Sequence, residues 1–234
     1  MLDLQPIALC NVAYKILAKL LANRLKRLLP GIISECQGAF ISGRSIIDNV
    51  MLAFEISHSM HQKRNERNGL AALKLDISKE YDCIESGFLK AIMLRMGFNE
   101  TWVDRIMFCV STVSYTVCHN GEPISSVVPQ RGLRQGDPLS PYLFILCAEG
   151  LSSLLQAKVD QGMIHGYSVA RNSPQISHPF FADDSYLFFR ANIVECQIIS
   201  QCLEEYAIAS GQSINLSKSS LMFNKNVQVF SYVQ

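Results

Sequence analysis

The sequence has little net charge and no cysteine pattern, and both absences exclude classes of protein. The formal net charge is only +1 over 234 residues, so overall electrostatics do not by themselves indicate a nucleic-acid-binding protein. The eight cysteines show no C-x-x-C spacing, which argues against a zinc site and against a disulfide framework. Reduced and mostly buried thiols are expected instead, in a nuclear or cytoplasmic setting.

Targeting and membrane signals are also missing. The N-terminus lacks the basic-then-apolar pattern of a signal peptide, and no apolar run approaches the ~18 residues that would span a membrane. No internal repeat, low-complexity segment or proline-rich linker divides the chain. With 49% hydrophobic and 18% charged residues, the sequence predicts a folded globular protein away from membranes, with one good core or two small ones. It does not indicate an oligomeric state.

Two adjacent aspartates, Asp183 and Asp184, lie between two aromatic-rich runs. Phe180 and Phe181 precede them and residues 186–189 follow, so the pattern predicts strand, tight turn, strand. Burying two neighbouring carboxylates is costly unless a cation neutralises them, and Mg²⁺ is the natural candidate because it prefers oxygen ligands. The alternative is an exposed Asp-Asp turn, since aspartate is a good turn former.

A third carboxylate, Asp76, decides between these interpretations. Leu73, Leu75 and Ile77 alternate with Lys74 and Asp76, which predicts a strand with Asp76 on one face near its end. Phosphoryl transfer between nucleotides uses two cations a few ångströms apart. Carboxylates on neighbouring strands are suited to hold such a pair, so the three aspartates are predicted metal ligands.

Three sequence blocks carry a family resemblance. Leu-Lys-Leu-Asp-Ile-Ser-Lys-Glu-Tyr-Asp (73–82), Arg-Gly-Leu-Arg-Gln-Gly-Asp-Pro-Leu-Ser-Pro (131–141) and Phe-Ala-Asp-Asp (181–184) occur in that order. Together they resemble the reverse transcriptase domain of plant-type non-LTR retrotransposons, the long interspersed elements. The likeness runs from about residue 5 to residue 223. The last block alone is a weak signal, whereas all three in order are specific.

The resemblance implies an α/β (α+β) fold, the fingers and palm of a right-hand polymerase, with a small antiparallel sheet backed by helices. Residues 1–226 would form the reverse transcriptase domain. Within it, residues 1–69 would belong to the fingers and residues 70–226 to the palm with the remaining fingers elements. Residues 227–234 would be the truncated start of the thumb connection, with the thumb itself missing.

The implied function is RNA-directed DNA polymerisation by two-metal nucleotidyl transfer. The cofactors would be two Mg²⁺ ions, with Mn²⁺ as a substitute, and the partners an RNA template, a DNA primer and deoxynucleoside triphosphates. Asp76 and Asp183 would hold the metals, with Asp184 as a supporting carboxylate. Lys218 would donate a proton to the departing pyrophosphate, although a solvated surface lysine is the competing interpretation.

The resemblance also implies substrate contacts. Arg44 would bind the incoming triphosphate, in keeping with the bidentate geometry of guanidinium and phosphate; without the family it would read as a surface residue. Tyr81 would be a sugar gate whose ring leaves no space for a 2′-hydroxyl, or else a core residue. Gln135 would lie against the nascent base pair or template, with Gly136 giving it room.

Helical periodicity and end signals predict the elements around these blocks. Asn11 caps a first helix that Pro30 ends, with an apolar face inward and a basic remainder that is either solvated or phosphate-facing. A second helix, capped by Asp48, follows. Later elements are helices at 86–96, 99–111 and 140–155, a hairpin at 115–128 turning at Asn120-Gly121, and a helix from the Asn192 cap to about residue 209. The residues predicted to face inward on the first two helices are Ala13, Ile16, Leu17, Leu20, Leu21 and Leu28, then Ile47, Val50, Met51 and Phe54.

One departure from the family pattern concerns activity. Glu80 stands where the family has a small residue, usually alanine, beside the predicted gate and in a pocket meant for a polyanion. The chain is therefore expected to be inactive or nearly so. Two rival functions stay open. One is a non-catalytic retrotransposon remnant that folds and binds nucleic acid. The other is a metal-dependent phosphatase or nuclease, which would have no need for Gln135 or Tyr81.

Overall fold

Six helices and eight strands form the part of the chain that the structure describes. The structure is a computed structural model that describes residues 8–62, 69–79, 81–168, 173–225 and 227. Glu80 and residues 228–234 of the predicted thumb connection lie outside these residues. The helices are α1 (Val12–Ile32), α2 (Ile46–Gln62), α3 (Ser86–Arg95), α4 (Glu100–Ser111), α5 (Ser140–Asp160) and α6 (Ile193–Ser210). The strands are β1 (Leu70–Leu75), β2 (Ile77–Ser78), β3 (Tyr115–His119), β4 (Glu122–Val127), β5 (Phe180–Phe181), β6 (Asp184–Arg190), β7 (Ser213–Ile214) and β8 (Ser220–Phe223).

The main sheet is antiparallel and has four strands in the order β5-β6-β1-β8. β1 lies between β6 and β8, with Leu75 opposite Ser185 in the β1–β6 register. Two smaller pairs accompany it, β2 with β7 and the β3–β4 hairpin. The predicted α+β class with a small antiparallel sheet is therefore confirmed.

Alternation along the strands gives the sheet two buried faces. Side chains such as Leu75, Leu187 and Phe189 pack with residues of α5 and α6 in one apolar cluster. Their neighbours, including Phe188, pack against α2 in a second cluster with Ile56. The core therefore has three layers, with α5 and α6 on one side of the sheet and α2 on the other. Strands that are covered on both faces are buried along most of their length.

Local end signals placed most elements correctly. Asn192 caps α6 by accepting a hydrogen bond from the Glu195 amide at 2.9 Å, and Gly211 ends it with a left-handed φ of 77°. Asn120 and Gly121 both have positive φ, as the predicted type I′ turn requires. Each of these caps and turns depends on a few neighbouring residues, so it can be predicted from the sequence before the tertiary fold is known.

The predicted inner face of α1 is wrong at most positions, although Leu21 is buried as predicted. Ile16, Leu17, Leu20 and Leu28 are exposed. The helix instead buries a neighbouring stripe against the core cluster that contains α5. Two small residues in that stripe let the helix axis approach its neighbour closely, and a leucine-rich helix offers apolar side chains on more than one face. The buried residues are Ala18, Leu21, Ala22, Leu25 and Leu29.

Pro30 does not stop α1, which continues to Ile32. A proline removes one backbone N–H donor, here the one that would bond the Lys26 carbonyl. Because both residues are exposed, water can satisfy that carbonyl, and the loss is tolerated in the last turn. The Ile33 amide then closes the helix by donating to the Leu29 carbonyl at 2.9 Å.

The prediction for α2 fails in the same way. Its predicted inner residues Ile47, Val50, Met51 and Phe54 are all at least half exposed. Ile56 and Met60, one face further round, pack on the sheet instead. Asp48 lies inside the first turn and is not the cap. The helix is real, but its orientation depends on where the sheet lies, which periodicity alone does not specify.

One helix in the described part of the chain, α5, is long and apolar enough to cross a membrane by length and composition. Half of its most apolar stretch is buried against the rest of the fold, including Phe144 and Leu146. Central core helices of globular proteins pass the same test, so this composition is weak support for a membrane span. The prediction that no apolar run approaches membrane-spanning length nevertheless overlooked α5.

Candidate active site

The three predicted carboxylates lie at one end of the main sheet. β5 and β6 form a hairpin in which Phe181 pairs with Asp184, so Ala182 and Asp183 make the turn. β6 pairs with β1 up to Leu75 and Ser185. Asp76 and Asp184 are the residues next to this last pair, one on each chain segment. Strand register thus brings together residues that are more than a hundred positions apart in sequence.

Asp76 is held by its backbone. Its amide donates to the Ser219 hydroxyl at 3.1 Å, and its carbonyl accepts from the Asn215 amide at 2.8 Å. Both partners belong to the turn between β7 and β8, which also carries the exposed Lys218. The structure therefore brings the loop of Lys218 directly against Asp76, although the ammonium group makes no ion pair with a described residue.

Lys74 is a charged neighbour that sequence reasoning missed. Its Nζ lies 3.4 Å from an Asp184 carboxylate oxygen. The negative charge of Asp184 is the main reason that the pKa of Lys74 is raised, and Asp76 adds a smaller contribution. Lys74 precedes Asp76 by two residues, so both side chains lie on the same face of the strand. The spacing of Lys74 and Asp76 was therefore the sequence signal that could have identified Lys74 as a neighbour of the site.

Tyr81 and the glycine-rich loop at 131–137 form a second group. The Tyr81 carbonyl accepts from the Leu133 amide at 2.7 Å, and the Tyr81 ring stacks on Phe144 with centroids 5.1 Å apart. Gly132 has a φ of 93°, and a Cβ there would lie 2.6 Å from the Asp82 carbonyl oxygen. Only glycine fits that approach, so the loop seats tightly against the segment after Asp76.

Gln135 lines a cavity of about 600 Å³, and Gly136 follows it in the same loop. Gln135 is half-buried, and its carbonyl accepts from the Ala8 amide at 3.0 Å. Gly136 is exposed with a φ of 94°. The cavity also contains Asp82 and Tyr115 among its lining residues. Tyr81 follows Asp76 by five residues, so a short stretch of chain connects this group to the sheet end.

A buried anchor that the sequence did not reveal fixes the loop to α1. The Tyr14 hydroxyl donates to the Asp137 carboxylate at 2.5 Å, and the Arg134 guanidinium lies 3.8 Å from the centre of the Tyr14 ring. Burial, followed by the hydrogen bond to Asp137, raises the pKa of Tyr14. Asp137 also accepts from the Leu139 amide at 2.9 Å. The Arg-x-x-Asp spacing was the only local signal.

The Arg44 guanidinium binds backbone carbonyls of the loop after α1. Its guanidinium donates to the carbonyls of Ser34 and Gln37 at 2.5 Å each and to the Ile33 carbonyl at 3.1 Å. Three backbone acceptors thus engage a side chain predicted to bind a triphosphate. Triphosphate binding by Arg44 stays a prediction, and the structure gives the residue a second role in holding the loop after α1.

Comparison with known proteins identifies the family. Residues 3–233 match the model of the family described as reverse transcriptase (RNA-dependent DNA polymerase). The chain belongs to this family. The transposon TX1 149 kDa protein of Xenopus laevis is 29% identical over 225 residues, which cover 96% of this chain and 16% of that protein. The Pol polyprotein of the R2 retrotransposable element of Popillia japonica is 26% identical over 92% of this chain and 29% of its own length.

These relatives make the chain a reverse transcriptase domain of the non-LTR retrotransposon type. It spans less than a third of the length of either relative. Among solved structures, a Candida tropicalis telomerase in complex with a fragment of telomeric RNA aligns with a TM-score of 0.61 at 12% identity, over 91% of this chain and 33% of that one. That likeness concerns the fold, and it agrees with a fingers-and-palm arrangement.

The family implies a dependence on divalent metal ions in general, and the donor chemistry at the sheet end fits them. Asp183 and Asp184 are exposed and Asp76 is half-buried, and carboxylate oxygens are the ligands that Mg²⁺ prefers. In the described part of the chain, however, no three His, Cys, Asp or Glu side chains converge closely enough to hold an ion. Asp184 is turned toward Lys74 instead.

Proposed function

We propose that the activity of this chain is RNA-templated DNA synthesis from deoxynucleoside triphosphates, and that the carboxylate of Glu80, next to the predicted gate Tyr81 in sequence, keeps its rate low. The observation that supports this proposal is the β1–β6 register, whose last pair, Leu75 with Ser185, is followed by Asp76 on one chain segment and preceded by Asp184 on the other, beside the turn that contains Asp183. Opposed carboxylates on adjacent strands suit two-metal nucleotidyl transfer. The proposed domain is residues 1–226, with residues 1–69 in the fingers and residues 70–226 mainly in the palm.

In this proposal Asp76 and Asp183 hold two Mg²⁺ ions, which Mn²⁺ can replace, and Asp184 supports them. Bound metals would lower the pKa of the primer hydroxyl and stabilise charge on the phosphates. Lys74 neutralises Asp184 before substrate binds, because its ammonium group lies 3.4 Å away. Release of that ion pair frees Asp184 to turn toward Asp76 and Asp183.

Other residues act on the nucleotide and the template. Tyr81 closes the space beside the 2′ position of the sugar, and its stacking on Phe144 keeps the ring rigid. Gln135 and Gly136 border the nascent base pair. Lys218, carried by the turn that binds the Asp76 backbone, donates a proton to the leaving pyrophosphate.

The partners are an RNA template and a DNA primer, and α1 offers them a basic surface. The helix has five basic residues and no acidic residue, although the whole chain has a net charge of only +1. Neutralising phosphates with exposed cations supplies affinity that does not depend on sequence and that falls with salt. The basic residues, all exposed, are Lys15, Lys19, Arg24, Lys26 and Arg27.

Asp183→Asn tests the proposed function. The substitution keeps the size of the side chain but removes a charged ligand, so primer extension on an RNA template with Mg²⁺ is expected to fall at least about a thousandfold. The thermal midpoint should change little because the side chain is exposed. Asp104→Asn is the matched control, since Asp104 is an exposed aspartate in a surface ion pair with Lys90. Extension by a folded Asp183→Asn protein at the parent rate would refute the site.

A second candidate is a non-catalytic remnant that folds and binds nucleic acid. The observation that favours it is the Lys74–Asp184 ion pair, which occupies one of the three proposed ligands. In this case the parent protein would bind primer–template weakly and salt-sensitively but would not extend it with Mg²⁺ or Mn²⁺. Template-dependent extension by the parent would exclude this candidate.

A further inference from the structure

The loop after α1 pairs with the first strand of the aspartate hairpin. Gln37 forms a parallel bridge with Phe180. The Phe180 amide donates to the Cys36 carbonyl at 2.7 Å, and its carbonyl accepts from the Gly38 amide at 2.8 Å. The Asn49 side chain, on α2, donates to the same carbonyl at 2.9 Å. The start of the hairpin is thus held from outside the sheet.

The side chain of Gln37 reaches the turn itself. Its Oε1 accepts from the Ala39 amide at 2.9 Å and from the Ala182 amide at 3.1 Å. Ala182 immediately precedes Asp183 and has a φ of 54°, a left-handed conformation that a residue with a Cβ adopts at a cost. An external hydrogen bond to its amide therefore stabilises a turn that is otherwise strained.

The orientation of the Gln37 amide follows from these partners. A flipped group would direct NH₂ at two backbone N–H donors, so the oxygen must face Ala39 and Ala182. Gln37 is only 1% exposed, and its Nε2 has no partner among the described residues. Burying an unpaired donor is unfavourable. The contribution of this glutamine is therefore its acceptor oxygen.

Arg44 holds the backbone of Gln37 and of the residues before it through hydrogen bonds. One of its guanidinium nitrogens donates to the Gln37 carbonyl and to the Ser34 carbonyl, and another donates to the Ile33 carbonyl. The planar fork fixes three acceptors of one loop in a single arrangement. A continuous path of hydrogen bonds then runs from Arg44 through Gln37 to the Ala182 amide.

We propose that Gln37 is a positioning residue that holds the Ala182–Asp183–Asp184 turn in place, with Arg44 fixing Gln37. Its role in catalysis rests on the proposed function, whereas its hold on the turn does not. Gln37 does not touch substrate. It acts by keeping the Asp183 carboxylate in one position relative to Asp76, which directly follows the neighbouring strand β1.

Hydrogen exchange in the full chain tests the hold on the turn independently of activity. Gln37→Met preserves side-chain length but removes the acceptor, so exchange of the Ala182 amide is expected to accelerate about tenfold or more. Gln212→Met is the matched control. Gln212 is 3% exposed, and it accepts from the Tyr206 hydroxyl at 2.6 Å. Equal exchange of the Ala182 amide in the two variants would overturn the proposal.

Primer extension then tests the consequence for catalysis. Gln37→Met is expected to lower kcat at least about tenfold while the KM for nucleotide stays within about twofold, since the turn and not the substrate contact is altered. Gln212→Met should lose stability without this loss in kcat. An equal kcat in Gln37→Met and the parent would overturn the catalytic role. If the parent does not extend primers, the proposed function fails, and the exchange result alone decides whether Gln37 holds the turn.

Gln37→Glu keeps an acceptor oxygen and guards against misfolding of the methionine variant. Both the neutral and the ionised carboxyl group offer an acceptor oxygen to the Ala39 and Ala182 amides. Protection of the Ala182 amide is therefore expected to approach that of the parent at pH 6. Failure to recover protection at pH 6 would show that the acceptor is not what holds the turn.

Arg44→Lys separates support of the loop from triphosphate binding. Lysine cannot span the three carbonyls, so faster Ala182 exchange and a lower kcat are expected. A raised KM for nucleotide with unchanged exchange would instead assign Arg44 to the triphosphate and remove it from the proposal.

Discussion

Two regions of the molecule contrast in how well their burial follows from sequence. In the main sheet and the short strand β2 that follows β1, which pack on α5 and α6, burial follows the alternation seen in the sequence, since Leu75 and Ile77 are buried and Lys74 is exposed. In α1 and α2, the predicted inner faces are largely exposed. The central strands β1 and β6 have apolar clusters on both faces, so the apolar residues of either face are buried. A helix that is apolar on several faces leaves its orientation open, and contact with a distant element decides it.

The same two regions differ in charge. α1 has five basic residues and no acidic residue, while the sheet end has Asp76, Asp183 and Asp184. The net charge of the whole chain is only +1. This value hides both the basic residues of α1 and the aspartates at the sheet end. Net charge is therefore a poor guide to partners when opposite charges are segregated on a fold, and the local composition of each element is more informative.

The prediction with the largest expected effect compares the loss of a phenylalanine side chain in each of the two regions. Phe188 in β6 is 1% exposed, and Phe54 in α2 is 66% exposed. Phe188→Ala should lower the free energy of unfolding by about 3–5 kcal/mol, because it leaves a cavity between the sheet and α2. Phe54→Ala should change it by less than about 0.5 kcal/mol. Denaturant unfolding of both variants measures the difference. Similar losses would mean that the outer face of α2 is covered in solution.

Sequence reasoning recovered what short-range chemistry determines. The Asn192 cap, the Gly211 end of α6 and the Asn120-Gly121 turn each act within a few residues. The strand–turn–strand around Asp183 was equally local. The sequence pattern also identified the three aspartates by their residue type and spacing, although their roles stay predictions.

What the sequence did not reveal depends on residues distant in the chain. The hydrogen bond from Ala182 to Gln37 joins positions 145 residues apart. The Tyr14–Asp137 contact spans 123 residues. Such contacts exist only once the strand register and helix orientation are set, and neither is a property of a local pattern. Lys74 is the exception, since its alternation with Asp76 was visible.

An intermediate effect concerns the polar contacts that join the two regions. His178 is 1% exposed, with Nε2 3.1 Å from the Ser152 hydroxyl and Nδ1 2.6 Å from the Ser177 hydroxyl. Ser152 in turn lies 3.0 Å from the hydroxyl of Ser34, just after α1. Burial lowers the pKa of His178 to about 4, so the folded state holds the imidazole neutral.

The pH dependence follows from that shift. An unfolded histidine has a pKa near 6.5, so between about pH 6.5 and 4 the unfolded state binds the proton more readily. The free energy of unfolding should therefore fall by up to about 3 kcal/mol as the pH drops through this window, then level off. Glu149, whose pKa is raised by burial, opposes this trend because its neutral form is favoured in the fold. Comparing the parent with His178→Gln isolates the histidine, and identical pH slopes in the two would contradict this assignment.

The smallest expected effect compares the helix caps of the two regions. Asn192 accepts from the Glu195 amide at 2.9 Å and donates to the Glu195 carboxylate at 3.2 Å. That carboxylate also accepts from the Arg190 amide. Asn11 makes one capping bond, to the Tyr14 amide at 2.7 Å, and is exposed.

Removal of each cap should therefore cost different amounts. Asn192→Ala is expected to lower the free energy of unfolding by about 1.5–2 kcal/mol, since it frees a helix amide and leaves the buried Glu195 with one partner fewer. Asn11→Ala should cost only about 0.5–1 kcal/mol, because water can reach the amide it exposes. Serine at either position restores a capping oxygen and serves as the control in denaturant unfolding. A larger loss at Asn11 than at Asn192 would mean that the start of α1 contributes more to stability than its exposure indicates, and would reverse the contrast between the two regions.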